Sequence, residues 1–315
     1  MPGHTEFRVR THSLLRMSLL LVGRGPVATV LSGLIRPGVG VGVLSRGTER
    51  SVRLLAARSG APETESGRAF PAFSWDEALA HGRWDAIVCA APLSPGAIRE
   101  LAAAAPDAPF ALTSHTPSEV RTFRSLVRRG RWALATPGFL AAQGQPVTWW
   151  QPGGARVAFA GPGSRAISTF FLPRAVSEVQ LTETRALVRA ATTVPFAAAL
   201  DVVRGDWAEL LRWDLPRRAA NEARITLCPS ARRHPLRRLP TRAALSMLPR
   251  LAGFPADAAL RAHVGSRRAQ SLRMLDDWIA LGEAGGTGVA ALRELREHLA
   301  PSARRPRHSA EPKGH

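Results

Sequence analysis

As far as about residue 136, short apolar runs with strand character alternate with stretches in which apolar side chains recur every three to four residues; from about residue 180 only the helical spacing continues. The first half therefore predicts an α/β layer and the second an all-α one. Ser18-Leu19-Leu20-Leu21-Val22 reads as a buried strand, Val27, Val30, Leu31 and Leu34 as one face of a helix, Pro37-Gly38 as a turn and Val39 to Leu44 as a second strand, which together make a βαβ unit. Arg58 to Ser74, polar and containing Gly and Pro, reads as a connection, followed by a helix over Trp75 to His81 and a buried strand over Asp85 to Ala90. A strand over Pro109 to Leu112, a helix over Pro117 to Arg129 and a strand over Trp132 to Thr136 follow. Pro146 to Trp150 and Ala155 to Ala160 read as an antiparallel pair across the turn Gln151-Pro152-Gly153-Gly154.

In the helical half, Leu187, Val188, Ala191, Val194 and Ala198 mark one face of a long helix, with Pro195 inside it and a kink expected there. Asp206, after Gly205, is placed to cap a helix carrying Trp207, Leu210 and Leu211. Thr241 starts another, and Leu272, Leu275 and Ile279, then Val289, Leu292, Leu295 and Leu299, mark the last two. The expected organisation is an N-terminal extension over 1–16, an α/β domain over 17–165, a helical domain over 172–301 and a disordered Arg-, Pro- and Ser-rich tail over 302–315.

The turn after the first strand carries the chemistry. Gly23-Arg24-Gly25-Pro26-Val27-Ala28 has the spacing of a dinucleotide fingerprint. Its first glycine permits a tight strand-to-helix turn, the second lets the backbone approach a pyrophosphate, and the small third residue lets helix and strand pack closely. Where an NAD site places Asp or Glu at the end of the second strand, this chain has Ser45-Arg46, and a guanidinium there suits a 2′-phosphate. The cofactor implied is NADP(H). A structural glycine turn in an unrelated α/β fold is the alternative. Ligands of such sheets lie at the carboxyl ends of the strands, so Ala90-Ala91-Pro92 and Thr113-Ser114-His115-Thr116 should border the nicotinamide half of the site.

Composition changes this picture only slightly. The formal net charge of +19 would point to nucleic acid, but the single lysine is Lys313 and the remaining cations are arginine, alongside heavy use of Ala, Gly and Pro. That pattern reads as a bias spread over the whole chain, so no nucleic-acid partner is assigned. The basic, proline-bounded loop Ala231 to Arg238 reads as a solvated connection. No apolar run approaches the ~20 residues of a membrane span. Cys89 and Cys228 make neither a disulfide framework nor a metal spacing, which fits a reducing cytoplasm.

A dinucleotide fold followed by an all-α domain resembles the ketopantoate reductase (2-dehydropantoate 2-reductase) family, whose helical domain is similar to the C-terminal domain of 6-phosphogluconate dehydrogenase. Val43-Leu44-Ser45-Arg46-Gly47 is similar to that family's NADP-selecting strand end. Gly154 to Gly163, with Ala158-Phe159-Ala160-Gly161-Pro162, is similar to its last N-domain strand and glycine-proline exit. Val194-Pro195-Phe196-Ala197-Ala198-Ala199-Leu200, then Gly205-Asp206-Trp207, is similar to its kinked interdomain helix and following turn. The resemblance covers most of residues 17–300 and implies an NADPH-dependent oxidoreductase acting on a small carbonyl or imine, with homodimer assembly common in such helical domains.

The departures concern catalysis. The resemblance places the family's proton-donating lysine near Arg185, Ala186 or Leu187, where no lysine stands. Arg185 keeps the charge but is a poor proton donor. The position of the family's second lysine reads Ala90-Ala91-Pro92, and its Asn-Gly is replaced by Ser114-His115-Thr116. Ketopantoate itself is therefore not the expected substrate. His115 is either an acid-base group beside the nicotinamide or a loop histidine bonded to backbone. Asp276-Asp277 and Glu294 with Glu297 read as solvated helix faces. Of Trp149 and Trp150, one should be core and the other should cover the interdomain cleft. A member of the fold that keeps it as a cofactor-sensing or interaction protein without catalysis is the second reading.

Overall fold

The computed structural model describes residues 17–45, 47, 49–58, 66–151, 156–177, 181–251 and 267–300. Among the described residues ten strands form one sheet: β1 (Ser18–Val22), β2 (Gly40–Leu44), β3 (Ser51–Arg58), β4 (Ser66–Phe73), β5 (Ala86–Cys89), β6 (Phe110–Leu112), β7 (Trp132–Pro137), β8 (Leu140–Ala142), β9 (Val147–Trp150) and β10 (Val157–Ala160). Its order is β10-β7-β6-β5-β1-β2-β4-β3-β9-β8. The six central strands are mutually parallel, and the order reverses between β1 and β5. That arrangement is the Rossmann-type doubly wound sheet, with its crevice at the carboxyl ends of β1 and β5.

The connecting helices are α1 (Pro26–Ser32), α2 (Trp75–His81), α3 (Pro95–Ala104), α4 (Pro117–Leu126) and α5 (Ser164–Ser168). Leu19 and Leu21 point into one core with α1, and Leu20 and Val22 into the other with Ile98, Leu101, Val120 and Phe123. Parallel strands covered on both faces need apolar side chains on both, and for this reason β1 is an unbroken apolar run. Each such leucine contributes about 1.5–3 kcal/mol on burial. Ser74 caps α2 through a reciprocal capping box with Glu77, whose carboxyl is held below its ordinary value by the Ser74 backbone N–H.

From Glu183 onward the described elements are helical: α6 (Glu183–Val202), α7 (Trp207–Arg212), α8 (Leu215–Leu227), α9 (Arg238–Leu251), α10 (Arg268–Ala284) and α11 (Ala290–Leu299), with a 3-10 turn at Pro229–Arg233. Their separate core gathers Ala198, Leu210, Leu275, Trp278 and Leu292. Pro195 lies inside α6, and Asp206 caps α7 by accepting from Glu209 N at 3.0 Å. The fold is thus an α/β dinucleotide-type layer followed by an all-α part. Among the described residues no helix is long and apolar enough to cross a membrane.

Four local expectations need correction. β9 and β10 do not pair with each other: β10 runs antiparallel to β7, whereas β9 lies between β3 and β8 at the opposite edge of the sheet. The stretch from Arg58 to Ser74 holds β4, paired antiparallel with β3 in register Ser51↔Pro71 to Ala56↔Ser66, because Phe70 supplies the buried anchor that its polar composition masks. Thr241 is not a helix start; α9 begins at Arg238, and Thr241 Oγ1 bonds back to Arg237 O. Trp149 and Trp150 are both buried in β9. Trp149 stacks edge-on against Phe139, and neither indole lines the cleft between the two parts. The extension over 1–16, the turn over 152–155 and the tail over 302–315 lie outside the described residues.

Candidate dinucleotide site and adjoining clefts

At the switch point the backbone leaves β1 through Gly23 at φ +111°, a conformation L side chains rarely adopt. A Cβ on Gly23 would stand 2.9 Å from the Cβ of Ala91, so the turn after β5 is packed directly against the glycine turn. Ala90 N donates to Val22 O at 2.9 Å and Thr113 N to Cys89 O at 3.0 Å, which ties together the ends of the three central strands. Cys89 Sγ lies 3.0 Å from Ala91 O, and burial pushes its thiol up to about 12, so it stays a neutral donor holding that turn. Around Gly25, by contrast, a Cβ would meet nothing within 4 Å. An open backbone at the second glycine, with Pro26 and Val27 opening α1 and buried Ala28 packing it on the sheet, is what close approach of a pyrophosphate requires. The residues present therefore fit a dinucleotide.

At the end of β2 the Ser45 hydroxyl is buried, accepting from Gly47 N at 3.2 Å and from Arg24 Nη1 at 3.3 Å. Arg24 also forms an ion pair with Glu49. Arg46, the sequence candidate for the 2′-phosphate, lies outside the described residues.

A cleft of about 460 Å³ begins at Gly25, Ala90 and Ala91, passes Thr113 and Ser114, and is closed on the far side by Arg267, Gln270 and Arg273. Ser114 Oγ donates to the Glu119 carboxylate and lies 3.2 Å from Thr116 Oγ1, while Arg273 is 3.6 Å from Glu119. Arg267 Nη1 donates to Gln270 Oε1 at 2.9 Å, and burial draws its guanidinium below the ordinary value. A second cleft of about 250 Å³ adjoins through Gln270 and is lined by His115, Thr136, Ala186, Arg189 and Thr193. There His115 Nε2 is 2.9 Å from Thr136 Oγ1. Burial, opposed by a backbone bond at Thr113 and reinforced by Arg189, brings the imidazole down to about 4. At neutral pH the ring is uncharged.

The structure thus brings Gly25, Ala90, Ala91 and Ser114 into one cleft and His115 into its neighbour. Arg185 and Arg189 are both exposed on α6, one turn apart; Arg189 lines the second cleft and Arg185 lines neither. Reasoning from sequence also missed Glu49, Glu119, Arg267 and Gln270. Glu49 carried a signal, an acid just beyond the second strand. The others are assembled by packing of α10 on α4, which no local pattern announces. Asp276 pairs with Arg296 at 2.9 Å and Glu294 with Arg218 at 3.1 Å, as solvated faces do. Asp277 instead accepts from Ser118 N at 2.6 Å and joins the two parts.

The class defined by this fold is a Rossmann-type layer followed by a helical domain, the architecture of ketopantoate reductases. It is similar to a ketopantoate reductase from Ralstonia eutropha JMP134 (TM-score 0.63, 15% identity, 90% of this chain and 97% of that one). It is likewise similar to a 2-dehydropantoate 2-reductase from Geobacter metallireducens GS-15 (0.63, 13%, 90% and 99%). A D-mandelate dehydrogenase crystallised with NADH and anilino(oxo)acetate is equally close in shape (0.64, 11%, 90% and 97%). By sequence, no family model matches the chain and no curated protein is significantly similar to it. The likeness is one of fold.

Proposed function

We propose that this chain is an NADP(H)-dependent oxidoreductase of the ketopantoate reductase type that reduces a carbonyl or imine on a small molecule. The observation that carries the reading is the open backbone at Gly25, at the switch point of the sheet and at the mouth of a cleft closed by a second, helical part. Gly23, Gly25, Pro26, Val27 and Ala28 would hold the pyrophosphate, Arg24, Ser45 and Arg46 the adenosine end, and Ala90, Ala91 and Ser114 the nicotinamide end. Bound there, the reduced nicotinamide supplies a hydride. The helical side excludes water with Gln270 and Met274 and presents Arg189 toward the substrate oxygen. His115 Nε2 and Thr136 Oγ1 form a neutral pair in the second cleft, able to donate one hydrogen bond to a substrate oxygen seated there as charge develops. Arg185, exposed, serves as a flanking cation. The proposed organisation is 17–165 for cofactor and 172–301 for substrate and pairing.

A structurally similar ketopantoate reductase from Staphylococcus aureus is dimeric, and a cytoplasmic homodimer is the proposed state here. A specific observation favours a second reading, a cofactor-binding protein without turnover: the chain's single lysine is Lys313, and His115, held as the neutral imidazole, is a poor general acid at neutral pH. NADPH titration followed by assay separates the two. Micromolar NADPH binding that collapses in Arg46→Ala is expected, and unchanged affinity in that variant defeats the phosphate assignment. NADPH oxidation with a member of a panel of 2-keto acids, lactones and imines establishes the reductase. Tight binding with no turnover on any of them establishes the silent form.

A further inference from the structure

We propose that Glu49 is a built-in competitor for the 2′-phosphate position, opposing Arg24 and narrowing the preference of this site for NADPH over NADH. The inference rests on the dinucleotide reading above and concerns residues that the fingerprint does not include. Arg24 is the variable residue between the two glycines of the turn, yet its guanidinium crosses to the end of β2, where Nη1 meets the buried hydroxyl of Ser45 at 3.3 Å. The end of the second strand is where this fold receives the adenosine ribose. Arg24 is thereby anchored as a cation at the ribose end of the proposed site.

The same guanidinium is already engaged by the carboxylate of Glu49. The two side chains are 44% and 57% exposed, so the pair is solvent-screened and weak enough for a stronger anion to displace. A 2′-phosphate brings two negative charges and three acceptor oxygens, and at Arg24 it meets the like-charged Glu49 carboxylate on the same guanidinium, which opposes it until that carboxylate moves aside. A ribose with a free 2′-hydroxyl makes no such demand. It leaves the ion pair intact and can donate to the carboxylate, which is the role an acid plays in NAD sites. One residue thus favours each nucleotide, and they act through the same bond.

Fluorescence titration of the full-length protein with NADPH and with NADH, and displacement of each by 2′,5′-ADP and by 5′-ADP, tests this without reference to turnover. Glu49→Gln keeps the shape and removes the charge. It is expected to tighten NADPH and 2′,5′-ADP by about tenfold and to leave NADH unchanged or weaker, the scale of one charge-assisted contact. Arg24→Gln is expected to move the ratio the other way by a similar factor. Equal shifts for both nucleotides in Glu49→Gln, or a ratio unchanged within about twofold, overturn the proposal. Both side chains are part-exposed, so the variants should fold, and an unchanged thermal midpoint confirms it. If the unmodified protein binds neither nucleotide, the cofactor reading itself fails, a result distinct from an unchanged ratio.

Discussion

His115 illustrates how far a single side chain is decided by its surroundings. Imidazole is ordinarily half-protonated near 6.5, and here burial takes it to about 4. Because the folded form refuses a proton that the unfolded chain accepts, stability attached to His115 is complete above about pH 6.5 and is lost as pH falls toward 4, by up to about 1.4 kcal/mol per unit. Urea unfolding at pH 7.0, 5.5 and 4.5 should show this fall in the native protein and a shallower one in His115→Gln. A slope unchanged by the substitution places the titration elsewhere. The histidine was visible in the sequence as a candidate. Its partner Thr136, on the next strand but one-and-twenty residues away, was not, because strand neighbours are a product of the sheet.

At the scale of elements, α10 and α11 meet at a glycine. A Cβ on Gly282 would stand 2.3 Å from Val289 Cγ1 and 3.1 Å from the buried Thr226 Oγ1. Alanine at this position should gain about 1 kcal/mol in helix propensity, yet overpacking of a close helix contact costs about 1–3 kcal/mol. Gly282→Ala is therefore expected to lower the urea midpoint at constant m-value, and a raised midpoint refutes the close approach. The helices themselves were legible: the three-to-four spacing of Leu272, Leu275 and Ile279, and of Leu292, Leu295 and Leu299, falls in α10 and α11. So were β1, β5, β6 and β7, whose apolar runs are short and bounded by turn residues. The β3–β4 pair was not, since a strand at the flank of the parallel core needs only one buried face, and alternation among Arg53, Leu54, Leu55 and Ala56 is faint.

For the whole molecule, one contact that joins the two parts is between α4 and α10. Thr116, at the start of α4, makes no side-chain cap, and the N–H of Ser118 is satisfied by Asp277 from the helical part at 2.6 Å. A carboxylate at a helix N-terminus contributes about 1 kcal/mol, and here it also fastens the two layers that enclose the cleft. Asp277→Ala should lower stability by about 1–2 kcal/mol and raise hydrogen exchange at the first turn of α4. On the proposed cofactor reading, NADPH bound in the cleft between the two parts should restore part of that protection. No loss of protection at Ser118 would mean that the layers are held by other contacts.

The order of strand and helix, the glycine turn and the change to an all-α second half follow from the sequence alone, because burial on both faces, turn conformation and helical period are each written in neighbouring residues. Which strands lie side by side, that β9 sits with β3 instead of β10, that Arg24 reaches Ser45 and Glu49, and that Arg267 and Arg189 line two adjoining clefts that share Gln270 were decided by tertiary structure. Contacts between residues far apart in the chain depend on how whole layers pack, and a local pattern carries no record of that.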